Sequence, residues 1–201
     1  MTNKVKIFTG QIDAPLSPIG EKQSELLEKY ISENFNISAV YSSDLIRAKK
    51  TVENLACSCN VPLVLSRNLR EIDAGLWQGK TMEEIEEVFS EQLCVWHSNQ
   101  INCCLNGGET VKNAIDRAIN EVIEIARKNA DRTVVVCAHG LAIRALWCSA
   151  CGTNLSDMTK IRFASNASVS LFTFSDEKLT PVFYDKNDFL GNFSTSMPEK
   201  F

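Results

Sequence analysis

The chain has 201 residues, of which 44% are hydrophobic and 23% are charged, and its formal net charge is −4. This size and composition are typical of one globular domain, which we expect to cover residues 1–201. The acidic balance argues against a nucleic-acid partner, because a phosphate backbone requires a basic surface. No apolar stretch approaches the roughly 18 residues of a membrane span, and residues 1–6 lack the apolar core of a signal peptide. We therefore predict no membrane partner and a cytoplasmic location.

Predicted strands and helices alternate in the first half of the chain, which favours a mostly parallel sheet flanked by helices. Apolar residues recur at helical spacing after Gly20. A short strand is predicted over 37–41, and Ser43 is predicted to cap the helix that follows. Another strand is predicted over 61–65, and its Pro62 indicates either an edge strand or the end of a strand.

The second half carries the strongest periodic signals. Apolar residues over 111–126 keep the 3.6-residue period of a helix. A continuous apolar run over 133–138 is typical of a central, buried strand, and a helix is predicted over 141–151. Strands over 168–174 and 179–184 are expected to pair and to close the domain. The fold class predicted from this order is α/β.

Three polar residues follow three of these strands. Arg47 lies one turn into the helix after the first strand, Glu71 follows the second, and His139 ends the apolar run. In open α/β sheets, ligands bind beyond the carboxyl ends of the strands. Arginine holds phosphate oxygens with a bidentate fork, histidine donates a hydrogen bond near neutral pH, and a glutamate with a raised pKa protonates a leaving group. The three residues together predict an anion site with a proton donor.

Each of these residues also has a plainer interpretation that the pattern alone leaves open. Arg47 is close enough to Asp44 in the sequence to form a surface ion pair. Glu71 lies in a charged stretch, where a solvated carboxylate is the more frequent outcome. His139 is harder to explain by structure alone, because with Gly140 it ends a strand where the chain must turn.

Segments spread along nearly the whole chain resemble, in order, the motifs of the histidine phosphatase superfamily (phosphoglycerate-mutase-like, α-ribazole-phosphatase-like branch). These segments are 8–17 with Gly20, 42–48 with Thr51, 69–79, the Gly-Gly-Glu-Thr turn at 107–110, the strand end 135–140, and 166–168. Any one motif is weak, but the collinear set is specific. The resemblance implies a three-layer α/β/α fold with a mostly parallel, phosphoglycerate-mutase-like sheet.

The sequence departs from the family pattern at its beginning. Members begin with a strand that ends in Arg-His-Gly, whose histidine is the phosphorylated nucleophile, whereas residues 1–3 match only the end of that motif. The resemblance therefore implies that the 201 residues lack the first central strand and the nucleophile, and that Met1 is an internal methionine of a longer reading frame. The chain's two histidines are His97 and His139, and His97 matches no motif.

Residue roles follow from the resemblance, position by position. Glu71 and His139 would be catalytic, with Glu71 as the proton donor. The phosphate-binding positions would be Asn3, Thr9, Gly10, Arg47 and His139. The resemblance implies no metal and no cofactor.

The function that these matches imply is a phosphomonoesterase of small phosphorylated metabolites that works through a phosphohistidine. As given, the 201-residue chain is expected to bind phosphate better than it hydrolyses it. A phosphate-binding pseudoenzyme and a phosphoglycerate mutase are the alternatives. Neither the particular substrate nor the oligomeric state can be read from the sequence.

Two further chemistries use the cysteines. Cys137 and Arg144 are reminiscent of a cysteine phosphatase, but their spacing is one residue too long and the cysteine lies within a strand. Cys148 and Cys151, with the pair at 103–104, form a weak zinc motif, since one Cys-x-x-Cys is permissive. We expect all eight cysteines to be free thiols.

Overall fold

The computed structural model describes residues 7–195, in which helices and strands alternate. The α-helices are α1 (Pro18–Asn34), α2 (Ile46–Ser58), α3 (Met82–Ser98), α4 (Val111–Lys128) and α5 (Gly140–Ala150). The strands are β1 (Ile37–Ser43), β2 (Leu63–Ser66), β3 (Thr133–Cys137), β4 (Val169–Ser175) and β5 (Lys178–Lys186). The predicted α/β class is confirmed.

The strands form two sheets. A parallel sheet has the order β2-β1-β3, with Val40 of β1 level with Leu63 on one side and Val135 on the other. Strands β4 and β5 form an antiparallel pair, as the sequence predicts. Strand β2 lies at an edge, and Pro62 immediately before it accepts a hydrogen bond from the Val40 amide at 2.9 Å, so the edge prediction is also confirmed.

The predicted central position of β3 stays a prediction, because the structure describes only residues 7–195. Within residues 7–195, β3 pairs with β1 alone, and its residues Val134, Val135 and Val136 are only half-buried. An apolar run on both faces of a strand predicts that both faces are covered, but it does not say whether a second strand fills the remaining edge.

The prediction that Ser43 caps α2 is wrong. Ser43 is the last residue of β1, and the residue at the N-cap position is Leu45, which has no side-chain cap. The Ser43 hydroxyl instead accepts a hydrogen bond from the Leu45 amide at 3.3 Å. The serine therefore shapes the turn between strand and helix and does not begin the helix itself.

The core consists of two hydrophobic clusters. One joins α1 and α2 to β1 and includes Leu27, Val40 and Leu55. The other brings α3, α4 and α5 against Trp77, which is fully buried. Burying a large apolar side chain contributes about 1.5–3 kcal/mol, so these clusters fix the helices that carry the site.

Phe8 anchors the beginning of the described chain to the second cluster. Its ring makes edge contacts with Trp77 at 5.6 Å and with Trp96 at 5.4 Å between centroids. Its amide donates to the Lys80 carbonyl at 2.8 Å, and its carbonyl accepts from the Gly79 amide at 2.8 Å. The loop that follows Phe8 is thereby held near the site described below.

Among the helices of residues 7–195, none is both long and apolar enough to cross a membrane.

Candidate functional site

The carboxyl ends of the parallel strands bring the predicted site residues to one edge of the sheet. Ser42 of β1 is level with Cys137 of β3, and the next residue of β1 is level with the end of β2. Arg47 lies in the first turn of α2 after β1, and His139 is the N-cap residue of α5 after β3. Glu71 lies a few residues beyond β2, after a short 3₁₀ turn.

Arg47 binds the loop that precedes α1. Its two terminal nitrogens donate to the carbonyls of Gly10 at 2.7 Å and Ile12 at 2.8 Å. The surface ion pair with Asp44 does not form, because both Asp44 oxygens accept hydrogen bonds at 2.6 Å from the guanidinium of Arg70. Arg47 is therefore half-buried and its charge is not neutralised by Asp44.

The Glu71 carboxyl group points towards the start of α5. It accepts hydrogen bonds from its neighbour's amide, that of Ile72, at 3.0 Å, and from the amide of Leu141. Leu141 is two residues from His139, so the carboxyl lies at the helix end that carries the histidine. Burial raises the pKa of Glu71, while these amides and the charges of Arg47 and Arg117 oppose the rise.

His139 is 8% exposed, and its Nε2 atom has no hydrogen-bond partner among residues 7–195. Burial lowers the pKa of the imidazole well below 6.5, and the positive charges of Arg47 and Arg117 lower it further. The histidine is therefore neutral near pH 7. A neutral imidazole whose buried Nε2 lacks a partner can donate a hydrogen bond to an anion.

The charge of Arg47 links the three side chains electrostatically. The charge of Arg47 acts on both the Glu71 carboxyl and the His139 imidazole. In return, Glu71 and Asp13 raise the pKa of the Arg47 guanidinium, against the larger lowering by burial. Such influences weaken with distance and screening, so they indicate that the three side chains lie in the same part of the molecule.

The loop positions expected to bind phosphate are only partly described. Asn3 lies outside residues 7–195. Gly10 has a φ of +50°, a conformation that favours glycine, and its carbonyl faces the Arg47 guanidinium. Thr9, which precedes it, accepts a hydrogen bond from the Ile12 amide at 3.0 Å through its carbonyl. The loop is thus brought to the site, but through carbonyls that orient Arg47.

Sequence reasoning missed Arg117, which lies on α4 and reaches the segment that carries Glu71. Its guanidinium contacts Glu109 of the Gly-Gly-Glu-Thr turn and backbone carbonyls close to Glu71. Thr110 begins α4 by accepting a hydrogen bond from the Asn113 amide at 3.1 Å, so the turn fixes where the helix starts. The spacing of eight residues between Glu109 and Arg117, about two helical turns, is a signal that could have revealed the pair.

The alternative chemistries find no support in the site. Burial raises the pKa of the Cys137 thiol to about 12, so it remains protonated and is a poor nucleophile. All eight cysteines carry free thiols. No group of three or more His, Cys, Asp or Glu side chains within the described residues is arranged to hold a metal ion. His97 is exposed in the last turn of α3.

An open cleft of about 630 Å³ lies elsewhere, where α3 kinks at Phe89. Gln92 and Asn106 line it, together with the apolar Val88 and Val95. None of the three converging residues contributes to its wall. This cleft is therefore separate from the strand ends that carry the three residues.

Comparison with known proteins identifies the family of the chain. Residues 1–187 match the family described as "Histidine phosphatase superfamily (branch 1)". "Phosphoserine phosphatase 1" of Hydrogenobacter thermophilus is 28% identical over 191 residues, which cover 95% of this chain and 90% of that protein. "Phosphoglycerate mutase-like protein 4" of Arabidopsis thaliana is 31% identical over 176 residues, with coverages of 87% and 75%.

The solved structures give the same result for the fold. Bacillus stearothermophilus YhfR superposes with a TM-score of 0.88 at 23% identity, covering 94% of this chain and 93% of that one. A phosphoglycerate-mutase-like α/β fold with a parallel sheet is therefore shown. With the family match over residues 1–187, the chain belongs to branch 1 of the histidine phosphatase superfamily, a family of phosphoric monoester hydrolases.

Proposed function

We propose that the convergent residues form the site of a small phosphorylated metabolite, in which Arg47 and His139 hold the phosphate and Glu71 is the proton donor. The observation that carries this proposal is the position of the Glu71 carboxyl at the start of α5, where His139 is the N-cap residue and its buried Nε2 atom has no partner among residues 7–195. A phosphate dianion between these groups would give the unpartnered Nε2 of His139 an acceptor. Preplaced donors of this kind usually supply the largest part of catalysis in phosphoryl transfer.

The raised pKa of Glu71 suits the acid role. A carboxyl that keeps its proton closer to neutral pH can transfer that proton to the leaving alkoxide oxygen as the P–O bond breaks. The phosphoryl group passes to the nucleophile, and water then hydrolyses the covalent intermediate, with the carboxylate accepting a proton from that water. His139, which is neutral, donates to a phosphate oxygen and does not lose its own proton.

We further propose that turnover requires a nucleophilic histidine that is not among residues 1–201. His97 is exposed on α3, and His139 is the phosphate-holding group, so neither fits that role. A strand that carried this histidine, placed beside β3 on the edge away from β1, would end next to His139. Met1 would then be an internal methionine, and the complete sheet would be the central layer of a three-layer α/β/α fold.

Substrate choice is proposed more broadly. Two of the relatives are phosphoserine phosphatases, and O-phosphoserine is accordingly the first metabolite to test. A phosphoglycerate mutase and a phosphate-binding pseudoenzyme are the alternatives, because fold and motifs do not determine the choice.

Binding of orthophosphate to the 201-residue chain tests the site directly. Isothermal titration calorimetry should show binding by the wild type, and His139→Gln should weaken it about tenfold or more, since it removes a hydrogen bond to a charged group. His97→Gln is the matched control, because it removes the other histidine from an exposed position. Equal losses in both variants, or a wild type that binds no phosphate, would contradict the proposal.

Turnover tests the missing nucleophile. The codons upstream of Met1 should encode Arg-His-Gly, and the chain extended by those residues should hydrolyse an aryl phosphate and form a trappable phosphohistidine. An extended chain that folds but remains silent would favour the pseudoenzyme. A stop codon immediately upstream would exclude the internal-methionine proposal.

A further inference from the structure

Arg117 holds the backbone on which Glu71 is carried. Its guanidinium donates to three carbonyls of that segment: Asn68 at 2.9 Å, Arg70 at 2.6 Å and Glu71 at 2.9 Å. The segment between β2 and α3 contains only short 3₁₀ turns, so it has no helix or sheet ladder of its own to fix it. The planar guanidinium of Arg117 therefore supplies hydrogen bonds to this backbone of the kind that a helix or sheet supplies elsewhere.

Glu109 completes this arrangement. It accepts hydrogen bonds from Nε of Arg117 at 3.1 Å and from one terminal nitrogen at 2.5 Å, and the two side chains are only 21% and 20% exposed. The same carboxylate accepts from the Asp73 amide at 2.9 Å, and the Glu109 amide donates to the Asp73 carbonyl at 3.0 Å. The Glu109 carboxylate therefore orients the Arg117 guanidinium and also binds the backbone at Asp73, which follows Glu71.

The contacts of Arg117 leave little freedom for a substitute. A lysine places a single point charge at the end of a flexible stem, and it cannot reach three carbonyls and a carboxylate in one plane. The Glu71 carbonyl has one other partner, the Gln11 side-chain amide at 3.0 Å. Loss of the fork would therefore leave the Asn68 and Arg70 carbonyls without this donor and would loosen the segment.

We propose that Arg117 is a positioning residue, which keeps the Glu71 carboxyl buried against the start of α5 by holding the backbone on either side of Arg70. The inference rests on the proposed function, in which Glu71 is the proton donor. It adds a residue that touches neither phosphate nor leaving group. The charge of Arg117 also reaches the site, because it lowers the pKa of both Glu71 and His139.

The titration of Glu71 reports on this role because several elements act on it. Burial raises the pKa of Glu71, and this is the largest influence. The groups around the carboxyl are Arg47 of α2, Arg117 of α4, and Arg144 with the Leu141 amide of α5, besides the adjacent Ile72 amide. If the segment loosens, water reaches the carboxyl and the largest influence is lost.

The experiment follows the Glu71 carboxyl by NMR in the chain labelled at its glutamate carboxyls, with Glu71→Gln to assign the signal. In Arg117→Lys and in Arg117→Met, the pKa of Glu71 should fall towards its ordinary value of 4.5. Arg127→Met is the matched control on the same helix. Its partners Glu124 and Glu177 are on the surface, and the Glu71 titration should not change.

Other outcomes would overturn the inference. A role through charge alone would raise the pKa of Glu71 in Arg117→Met and leave it unchanged in Arg117→Lys. A role in global stability alone would lower Tm in both variants without moving the titration. If neither variant folds, Glu109→Gln weakens the same pair, and an unchanged Glu71 titration there would count against positioning.

The same samples separate this inference from the proposed function. Orthophosphate binding by the wild type tests the function, whereas the Glu71 titration tests the position of the carboxyl. If the wild type binds no phosphate but the Glu71 pKa falls in the variants as expected, the positioning role of Arg117 is supported and the proton-donor role of Glu71 is contradicted. If the wild type binds phosphate but the Glu71 pKa does not change in the variants, the proposed phosphate site is supported and the positioning role of Arg117 is contradicted.

Discussion

The two sides of the candidate site differ in how firmly the chain binds the residue that is proposed to act there. On the acid side, the segment 70–77 is bound by Arg117 and by the turn at 106–109 through several backbone hydrogen bonds. On the histidine side, Nε2 of His139 has no partner among the described residues, and β3 has a neighbour along one edge only within 7–195. A buried polar group without a partner costs about 1–3 kcal/mol.

The glycines show how tightly the acid side is built. A Cβ atom on Gly75 would lie 2.2 Å from the Asn106 carbonyl oxygen, and one on Gly108 would lie 2.1 Å from the Asp73 carbonyl oxygen. The two loops therefore approach each other backbone to backbone. The acid side is therefore a closely packed scaffold that Arg117 and the turn hold in place, whereas the histidine side keeps the imidazole Nε2 without a partner where a ligand is expected.

The largest expected loss of stability comes from a substitution at Gly75, where the two loops of the acid side are in contact. Gly75→Ala adds a Cβ against two backbone loops and requires a side chain at a φ of +50°. The left-handed conformation and the overpacking together should lower the free energy of unfolding by about 3 kcal/mol. Urea denaturation monitored by tryptophan fluorescence would measure the loss, since Trp77 lies beside this contact.

Gly152→Ala is the control for backbone conformation. Gly152 has a φ of +68°, yet a Cβ there would meet nothing within 4 Å. Its substitution should cost only the conformational part, about 1 kcal/mol. Equal losses in the two variants would show that the close approach of the loops contributes nothing.

On the histidine side, a substitution at His139 should change the free energy of unfolding by a smaller amount. His139→Leu removes the unpartnered polar group, so at pH 7.5 its free energy of unfolding should stay within about 1 kcal/mol of the wild type. In the folded wild type, burial holds the pKa of His139 well below 6.5, so the unfolded chain takes up the proton first as pH falls. The wild type should therefore lose stability relative to His139→Leu below pH 6.5, by at most about 1.4 kcal/mol per pH unit.

Glu71 should show the opposite trend. Its pKa is raised, so its contribution is fully present below 4.5 and is lost as pH rises through the folded pKa. Denaturation curves between pH 4.5 and 7.5 should therefore diverge in opposite directions for His139→Leu and Glu71→Gln. Parallel curves for both variants would mean that neither group is held in the buried state that the site requires.

Much of this site follows from local sequence rules. Arg47, Glu71 and His139 are found because they follow strands, and parallel strands bring their carboxyl ends to one edge of a sheet. The helix α4 is equally readable, because its apolar residues keep a 3.6-residue period from Val111 onwards. Such features depend on residues that are close in the sequence.

Long-range partners are much harder to predict. The partner of Asp44 is Arg70, and the carbonyls beside Glu71 are held by Arg117, each across more than 25 residues. No spacing rule selects between equivalent arginines when each can reach several acceptors. The place of β3 in the sheet stays open for a related reason, because an apolar run specifies burial but not which strand supplies it.

The smallest expected effect lies on the same helix as Arg117. Lys112 and Asp116 form an ion pair at 2.5 Å, but their side chains are 62% and 43% exposed. An exposed pair one turn apart is worth about 0.3–0.5 kcal/mol and is screened by salt, so Lys112→Met should change the free energy of unfolding by less than that in 0.5 M salt. Arg117→Met should cost about 2 kcal/mol under the same conditions, because it leaves the partly buried Arg70 carbonyl and the Glu109 carboxylate without this donor. If the two variants lose the same amount, the acid side is held no more firmly than the surface of α4, and the contrast with the histidine side disappears.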